Sequence, residues 1–118
     1  MQPVKRLVSL ILLGAISFGA VADDYPSKPI RIVVPYAAGS GVDLIGRVTA
    51  TKLQDELKAA VIVENRPGGN ALIGSAAVAR APADGYTLLM AGAGTHSSSN
   101  ALYKNVPYDV EKDFQPIS

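Results

Sequence analysis

Short apolar runs alternate with longer amphipathic segments along this chain. Runs rich in β-branched and large apolar residues predict buried strands near residues 30–34, 61–63 and 86–90. Between them, the spacing of small and apolar residues predicts helices over residues 43–58 and 71–80. An alternating order of strands and helices is typical of right-handed βαβ crossovers. We therefore expect an α/β fold, a parallel sheet flanked by helices, with the first strand between the other two.

The first predicted helix has one face of small and apolar residues. At steps of four, three and four this face contains Gly46, Ala50, Leu53 and Leu57, with Ile45 nearby. The increase in size along the face suits a helix that packs closely on a sheet. The interior glycine should cost the helix about 1 kcal/mol relative to alanine.

Two polar loops that contain glycine follow strands of the predicted sheet. The first spans residues 35–43, and the second spans residues 91–100 and contains the only histidine of the chain. In an open parallel sheet, ligands bind beyond the carboxyl ends of the strands, at the point where the strand order switches. The two loops should therefore open on the same edge of the sheet and face one crevice.

The first loop has the composition of a helix N-terminus that binds an anion. Ser40 and Asp43 fit a capping signature, and Gly39 and Gly41 allow close approach to the backbone. Free N–H groups and the helix dipole at such a terminus favour a carboxylate or a phosphate. Turn chemistry alone also accounts for two glycines. Tyr36 is equally suited to line a ligand or to pack at the end of the strand.

Residue types for nucleophilic catalysis are present, but their context is unfavourable. Ser97 or Ser98 could act with His96 and Asp43. However, no Gly-x-Ser-x-Gly elbow surrounds either serine, and the histidine is adjacent in sequence to its supposed nucleophile. An exported α/β hydrolase-like enzyme is therefore the less favoured alternative.

The sequence predicts no cofactor and no metal. Neither G-x-G-x-x-G nor a Walker Gly-Lys-Ser/Thr motif occurs, which argues against a nucleotide site. One histidine and scattered carboxylates show no ligand spacing, and the absence of cysteine excludes disulfides and thiolate sites.

The N-terminus predicts export. Lys5 and Arg6 precede the uncharged run 7–18, which leads to Ala20-Val21-Ala22, so residues 1–22 are interpreted as a signal peptide that is cleaved after Ala22. The run is shorter than the ~20 residues of a membrane span, and we expect no stable membrane insertion after cleavage. Loss of the two basic residues turns a net charge of +1 into −1, which gives no basis for a nucleic-acid partner.

The chain resembles the Bug-type periplasmic solute-binding proteins of the tripartite tricarboxylate transporter family over residues 25–118. Several ordered motifs at family spacing carry the resemblance. They are Tyr25-Pro-Ser-Lys-Pro-Ile-Arg-Ile-Val-Val-Pro-Tyr-Ala-Ala-Gly, Asp43 with Arg47, Val63-Glu-Asn-Arg-Pro-Gly, Asp84-Gly-Tyr-Thr-Leu-Leu, Gly94-Thr-His, Asn100-Ala-Leu-Tyr and Asp113-Phe-Gln-Pro-Ile-Ser. Three positions depart from the usual pattern: Ser40 replaces a common second glycine, Gly46 replaces a common alanine, and residues 58–60 lack a glycine.

The resemblance implies a two-lobed, type II periplasmic-binding-protein-like fold. Residues 23–118 would form the N-terminal part of the first lobe, which is short for such a lobe, and the second lobe would be absent. The implied function is capture of a small carboxylate for the membrane permease subunits of a tripartite transporter, without catalysis. A receptor fragment that does not bind is the other alternative.

The resemblance also implies which residues hold the carboxylate, partly through water. The corresponding positions are Tyr36, Ala37, Ala38, Gly39, Ser40 and Asp43 in the first loop and Gly94, Thr95 and His96 in the second. The charge of Asp43 would repel a carboxylate, so it is interpreted as the helix cap that holds the loop.

Overall fold

A computed structural model describes residues 24–118, and the predicted signal peptide and its cleavage point lie outside these residues. The strands are β1 (Ile30–Val34), β2 (Val61–Asn65) and β3 (Thr87–Leu89). The helices are α1 (Gly41–Leu57), α2 (Leu72–Ala79), α3 (Ala93–His96) and α4 (Ser99–Leu102). Both strand pairs are parallel, and the strand order is β2-β1-β3. The predicted parallel sheet, with the first strand in the centre, is confirmed.

The centre of the core is β1. Its residues are buried except for Arg31, as expected of a strand with neighbours on both edges and helices on both faces. Ile32 is aligned with Val63 on one side and with Leu88 on the other. Helix α1 contacts β1 and β2, whereas α2 contacts β1 and β3. The carboxyl ends of all three strands therefore lie at one edge of the sheet.

The prediction of a packing face on α1 is confirmed for the first turns of the helix but not for its last turn. Gly46 and Ala50 are buried and Leu53 is half-buried, but Leu57 is 36% and Ile45 is 60% exposed. A helix of 17 residues is about 25 Å long, whereas a strand of five residues spans about 17 Å. The last turn therefore extends past the sheet. Ile45 lies about 100° around the helix from Gly46, outside the packing face.

The segment 91–100, predicted as a loop, contains the one-turn helix α3 and the start of α4. The N–H group of Gly92 donates to Thr95 Oγ1 at 3.0 Å, and this hydroxyl donates to the Gly92 carbonyl oxygen at 2.9 Å. This local capping pair stabilises a helical turn that the glycine-rich composition did not predict.

Strand β3 is shorter than the predicted 86–90, but its pairing covers that range. The Arg31 N–H group donates to Tyr86 O at 2.8 Å, and the Met90 N–H group donates to Val33 O at 2.9 Å.

Within residues 24–118, no helix is both long enough and apolar enough to span a membrane.

Candidate functional site

The first loop is held by a reciprocal cap at the N-terminus of α1. The backbone N–H of Asp43 donates to Ser40 Oγ at 3.2 Å, and the Asp43 carboxylate accepts from the N–H of Gly39 at 2.8 Å. Asp43 is only 2% exposed, and Gly39 has a φ angle of +83°, which glycine adopts without strain. The capping role inferred for both polar residues is therefore present in the structure.

Two further side chains hold the Asp43 carboxylate. Asn65 Nδ2 donates to Oδ1 at 2.8 Å, and Arg47 Nε donates to Oδ2 at 3.0 Å. The hydrogen bond from the Gly39 backbone, followed by those from Asn65 and Arg47, lowers the pKa of Asp43 from 3.8 to about 2. The carboxylate is therefore ionised at neutral pH, with its charge directed into the protein rather than towards a ligand.

The cap decides which backbone donors of the first loop remain open. Gly39 donates to Asp43, and Ser40 donates to the Ala37 carbonyl oxygen at 3.2 Å. Among the described residues, four other amides in this loop and in the first turn of α1 form no hydrogen bond: those of Ala37, Ala38, Gly41 and Val42. Ala37, Ala38 and Gly41 are exposed residues, and Val42 is half-buried.

The two predicted loops meet at the same edge of the sheet. A Cβ atom placed on Gly92 would lie 2.9 Å from Tyr36 Oη, and one placed on Gly94 would lie 3.4 Å from it. Tyr36 is half-buried and also packs against the hydrophobic core. Its packing role at the strand end is therefore confirmed, whereas its role in lining a ligand stays a prediction.

The second loop contributes differently from the first. Thr95 is fully buried, and its hydroxyl contacts Gly92 and His96 Nδ1, the latter at 3.0 Å. The His96 ring packs on Phe114 with ring centroids 4.8 Å apart. It also borders an open cavity of about 600 Å³ with Asn100, Val106, Tyr108, Asp109, Val110 and Glu111. Burial lowers the pKa of His96 below its ordinary value of 6.5, which favours the neutral imidazole.

The residues considered for catalysis do not form a triad. Ser98 Oγ donates to the Ala93 carbonyl oxygen at 3.1 Å, whereas Asp43 belongs to the cap described above. In the part of the chain from residue 24 onwards, no hydrogen bond joins His96 to a serine or to Asp43. From residue 24 to residue 118, no three histidine or acidic side chains are close enough together to hold a metal ion.

Sequence reasoning missed Asn65 as a site residue. It is the last residue of β2, and the β1–β2 register aligns it with Val34, directly before the first loop. A polar side chain at the end of a strand that neighbours β1 was the available signal.

Comparison with known proteins shows the family to which the chain is similar. Residues 45–118 match the family described as "Tripartite tricarboxylate transporter family receptor" (TctC). A UPF0065 protein of Bordetella bronchiseptica is 44% identical over 112 residues, which cover 95% of this chain and 33% of the relative.

Three solved structures share the fold. The periplasmic binding protein BugD is 38% identical, with a TM-score of 0.71 over 79% of this chain and 31% of its own. MatC from Rhodopseudomonas palustris with bound malate is 32% identical, with a TM-score of 0.75 over 79% and 32%. The R. palustris protein Rpa4515 with adipate is 30% identical, with a TM-score of 0.71 over 74% and 29%.

These similarities confirm the expected periplasmic-binding-protein-like fold. The chain spans about a third of the length of the proteins it matches, so its sheet corresponds to only part of theirs. The family match covers more than half of the chain, and the relatives cover nearly all of it. The chain belongs to the tripartite tricarboxylate transporter family of receptors.

Proposed function

We propose that this chain is part of a periplasmic receptor that binds a small carboxylate at the first loop. The observation that carries the proposal is the cap by Asp43. It uses the N–H of Gly39 internally and leaves the amides of Ala37, Ala38, Gly41 and Val42 open. Solved relatives whose names include malate and adipate support a carboxylate as the ligand class.

The electrostatics of the loop suit an anion. The N-terminus of a 17-residue helix carries the equivalent of about half a positive charge, and its first N–H groups lack intrahelical partners. The ionised Asp43 is turned away and satisfied by Gly39, Asn65 and Arg47. A carboxylate would therefore meet backbone donors, directly or through water, with the Tyr36 ring beside it.

The remaining residues of the predicted site have different parts in this proposal. Gly94 lies beside the Tyr36 ring, and buried Thr95 stabilises the turn that holds the second loop against the first. His96, whose Nδ1 atom contacts Thr95, has an accessory part, because its other ring nitrogen can meet a carboxylate through water. The Gly39 and Ser40 amides contribute through the shape of the loop, because the protein uses them itself.

The wider assignment follows from the family and the N-terminus. A signal peptide over residues 1–22 would deliver the protein to the periplasm, where it would pass its ligand to membrane permease subunits. The role is binding without turnover, since the family is one of receptors.

A carboxylate titration tests this function directly. Malate and adipate, and their neutral amides, would be added to the full chain while the backbone amide resonances of residues 37–42 are followed by NMR. We expect the acids to shift the resonances of Ala38, Gly41 and Val42 and the amides to leave them unchanged. Weak binding is sufficient, because NMR detects fast exchange at millimolar ligand.

A pair of glycine variants provides the control. Gly39→Val and Gly85→Val both place a β-branched residue at a positive φ, +83° and +80° respectively, but Gly85 lies in a distant turn beside Tyr25. Both should lose stability through backbone strain, and only Gly39→Val should lose the carboxylate response. Equal shifts with acid and amide, or an unchanged response in Gly39→Val, would contradict the proposed site.

A further inference from the structure

Asn65 binds both ends of the first loop. Its Nδ2 atom donates to Asp43 Oδ1 at 2.8 Å and to the Tyr36 carbonyl oxygen at 3.2 Å. Its Oδ1 atom accepts from the Arg47 guanidinium at 3.1 Å. One primary amide therefore connects the start of the loop, the cap at its end and the first turns of α1.

These contacts orient the Asp43 carboxylate. Oδ1 accepts from Asn65, and Oδ2 accepts from Gly39 and from Arg47, so both oxygens are engaged. Because the carboxylate cannot rotate without breaking one of these bonds, the N–H of Gly39 stays directed at Oδ2. The conformation of residues 37–41, and with it the set of open amides, depends on that contact.

We propose that Asn65 is a positioning residue for the carboxylate site, which holds the first loop in its binding conformation through Asp43 and Tyr36. The inference rests on the function proposed above for this loop. Asn65 does not touch the ligand in this account; it acts from the end of β2 on the residues that shape the donors.

The neutral amide suits this position better than an acid. The charged group that contacts Asp43 is Arg47 on α1, while β2 contributes the neutral Asn65 and the loop contributes the Gly39 backbone. A carboxylate of the same size at residue 65 would remove the Nδ2 donor and add a like charge. Both changes should raise the pKa of Asp43 and weaken its hold on Gly39.

The test compares Asn65→Asp with Asn105→Asp in the full chain. Both variants make the same change in composition and charge, and Asn105 is exposed with no side-chain hydrogen bond to any residue from 24 to 118. Three quantities would be measured by NMR: the pKa of Asp43, the hydrogen-exchange rate of the Gly39 amide, and the malate concentration that half-shifts the Gly41 amide.

We expect Asn65→Asp to raise the pKa of Asp43 from about 2 towards 3.8 or above, and to accelerate exchange at Gly39. The half-shift concentration should rise about tenfold, as expected when two hydrogen bonds that hold the loop are lost. Asn105→Asp should match the unsubstituted chain in all three quantities. An unchanged pKa and exchange rate in Asn65→Asp would overturn the proposal.

The two hypotheses fail separately. If the unsubstituted chain gives no malate response but Asn65→Asp still changes Asp43 and Gly39, the carboxylate function is wrong and the hold of Asn65 on the loop is supported. Should Asn65→Asp not fold, acidification of the unsubstituted chain replaces it. The Asn65 Nδ2 resonances should then shift together with the titration of Asp43, and independent titration would overturn the proposal.

Discussion

At the scale of single residues, the chemistry of the site concentrates in Asp43. A buried carboxylate is costly unless it is paired and hydrogen-bonded, and here three donors from the loop, α1 and β2 satisfy it. The same bonds that stabilise its charge also shape the loop. Asp43 is thus a structural acid beside a proposed anion site, and its ionisation should be visible in the stability of the protein.

This predicts a specific loss of stability in acid. The pKa of Asp43 is about 2 in the folded chain, lower than its ordinary value of 3.8. The ionised carboxylate therefore stabilises the fold fully above pH 3.8, and this contribution is lost as the pH falls towards about 2. Asp43→Asn should lower the free energy of unfolding at neutral pH and flatten its decline over that window. Urea denaturation at several pH values would measure this.

The matched variant is Asp55→Asn, at an exposed position on the same helix. It should retain the acid decline, which Asp84 and Asp109 also cause because hydrogen bonds lower their pKa values. An equal decline in Asp43→Asn and in the unsubstituted chain would show that the cap does not contribute.

At the scale of elements, close approach of helices to β1 places the loops. A Cβ atom on Gly46 of α1 would lie 2.9 Å from Val34 Cγ2. The sequence placed this glycine on the packing face of the helix and led us to expect that it weakens the helix by about 1 kcal/mol relative to alanine. The structure shows that it also leaves space for a fully buried side chain of the central strand, so its propensity cost is offset by packing.

A stronger constraint is found on the other face, where α2 meets the end of β1. A Cβ atom on Gly74 would lie 2.6 Å from the Arg66 carbonyl oxygen and 2.9 Å from Pro35 Cβ. Since backbone atoms cannot move aside as a flexible side chain does, Gly74→Ala should lower the free energy of unfolding by about 2 to 3 kcal/mol.

The control is Gly41→Ala, because an added Cβ there meets no atom within 4 Å. This variant should be neutral or stabilising by up to about 1 kcal/mol, as expected for alanine in a helix. Chemical denaturation of both variants measures the difference. Gly74→Ala with unchanged stability would mean that α2 packs less closely than the structure shows.

At the scale of the whole molecule, the described residues form one sheet, and both loops of the proposed site lie at one edge of it. The chain spans about a third of the length of its relatives, and BugD among them is named as a periplasmic binding protein. The N-terminus of this chain predicts export to the same compartment, and this prediction can be measured directly.

Mass spectrometry of the protein recovered from the periplasm should show Asp23 as the first residue. Lys5 and Arg6, the uncharged run and Ala20-Val21-Ala22 have the order that signal peptidase recognises. Ala22→Arg should block processing, because a large charged residue does not fit the small-residue cleavage pattern. Met1 retained on the unsubstituted protein in the cytoplasm would contradict export.

Local patterns in the sequence determined the architecture of this protein. Runs rich in β-branched and large apolar residues predicted all three strands, because burial acts on short segments, and the topology expected of βαβ units predicted β1 in the centre. The S-x-x-D pattern predicted the cap at Ser40 and Asp43, because its partners lie within four residues of each other. The meeting of the two loops followed from the parallel order together with the position of β1 beside β3.

Only the tertiary structure decided which groups at that edge are used and which are open. Asn65 reaches Asp43 across 22 positions of sequence, and the His96 ring packs on Phe114 rather than being placed by its neighbours in the loop. The close approach of Gly74 to Pro35 likewise depends on how α2 sits on the sheet. Such contacts depend on register and packing between distant segments, and residue order along the chain does not specify the distances that hydrogen bonds and van der Waals contacts require.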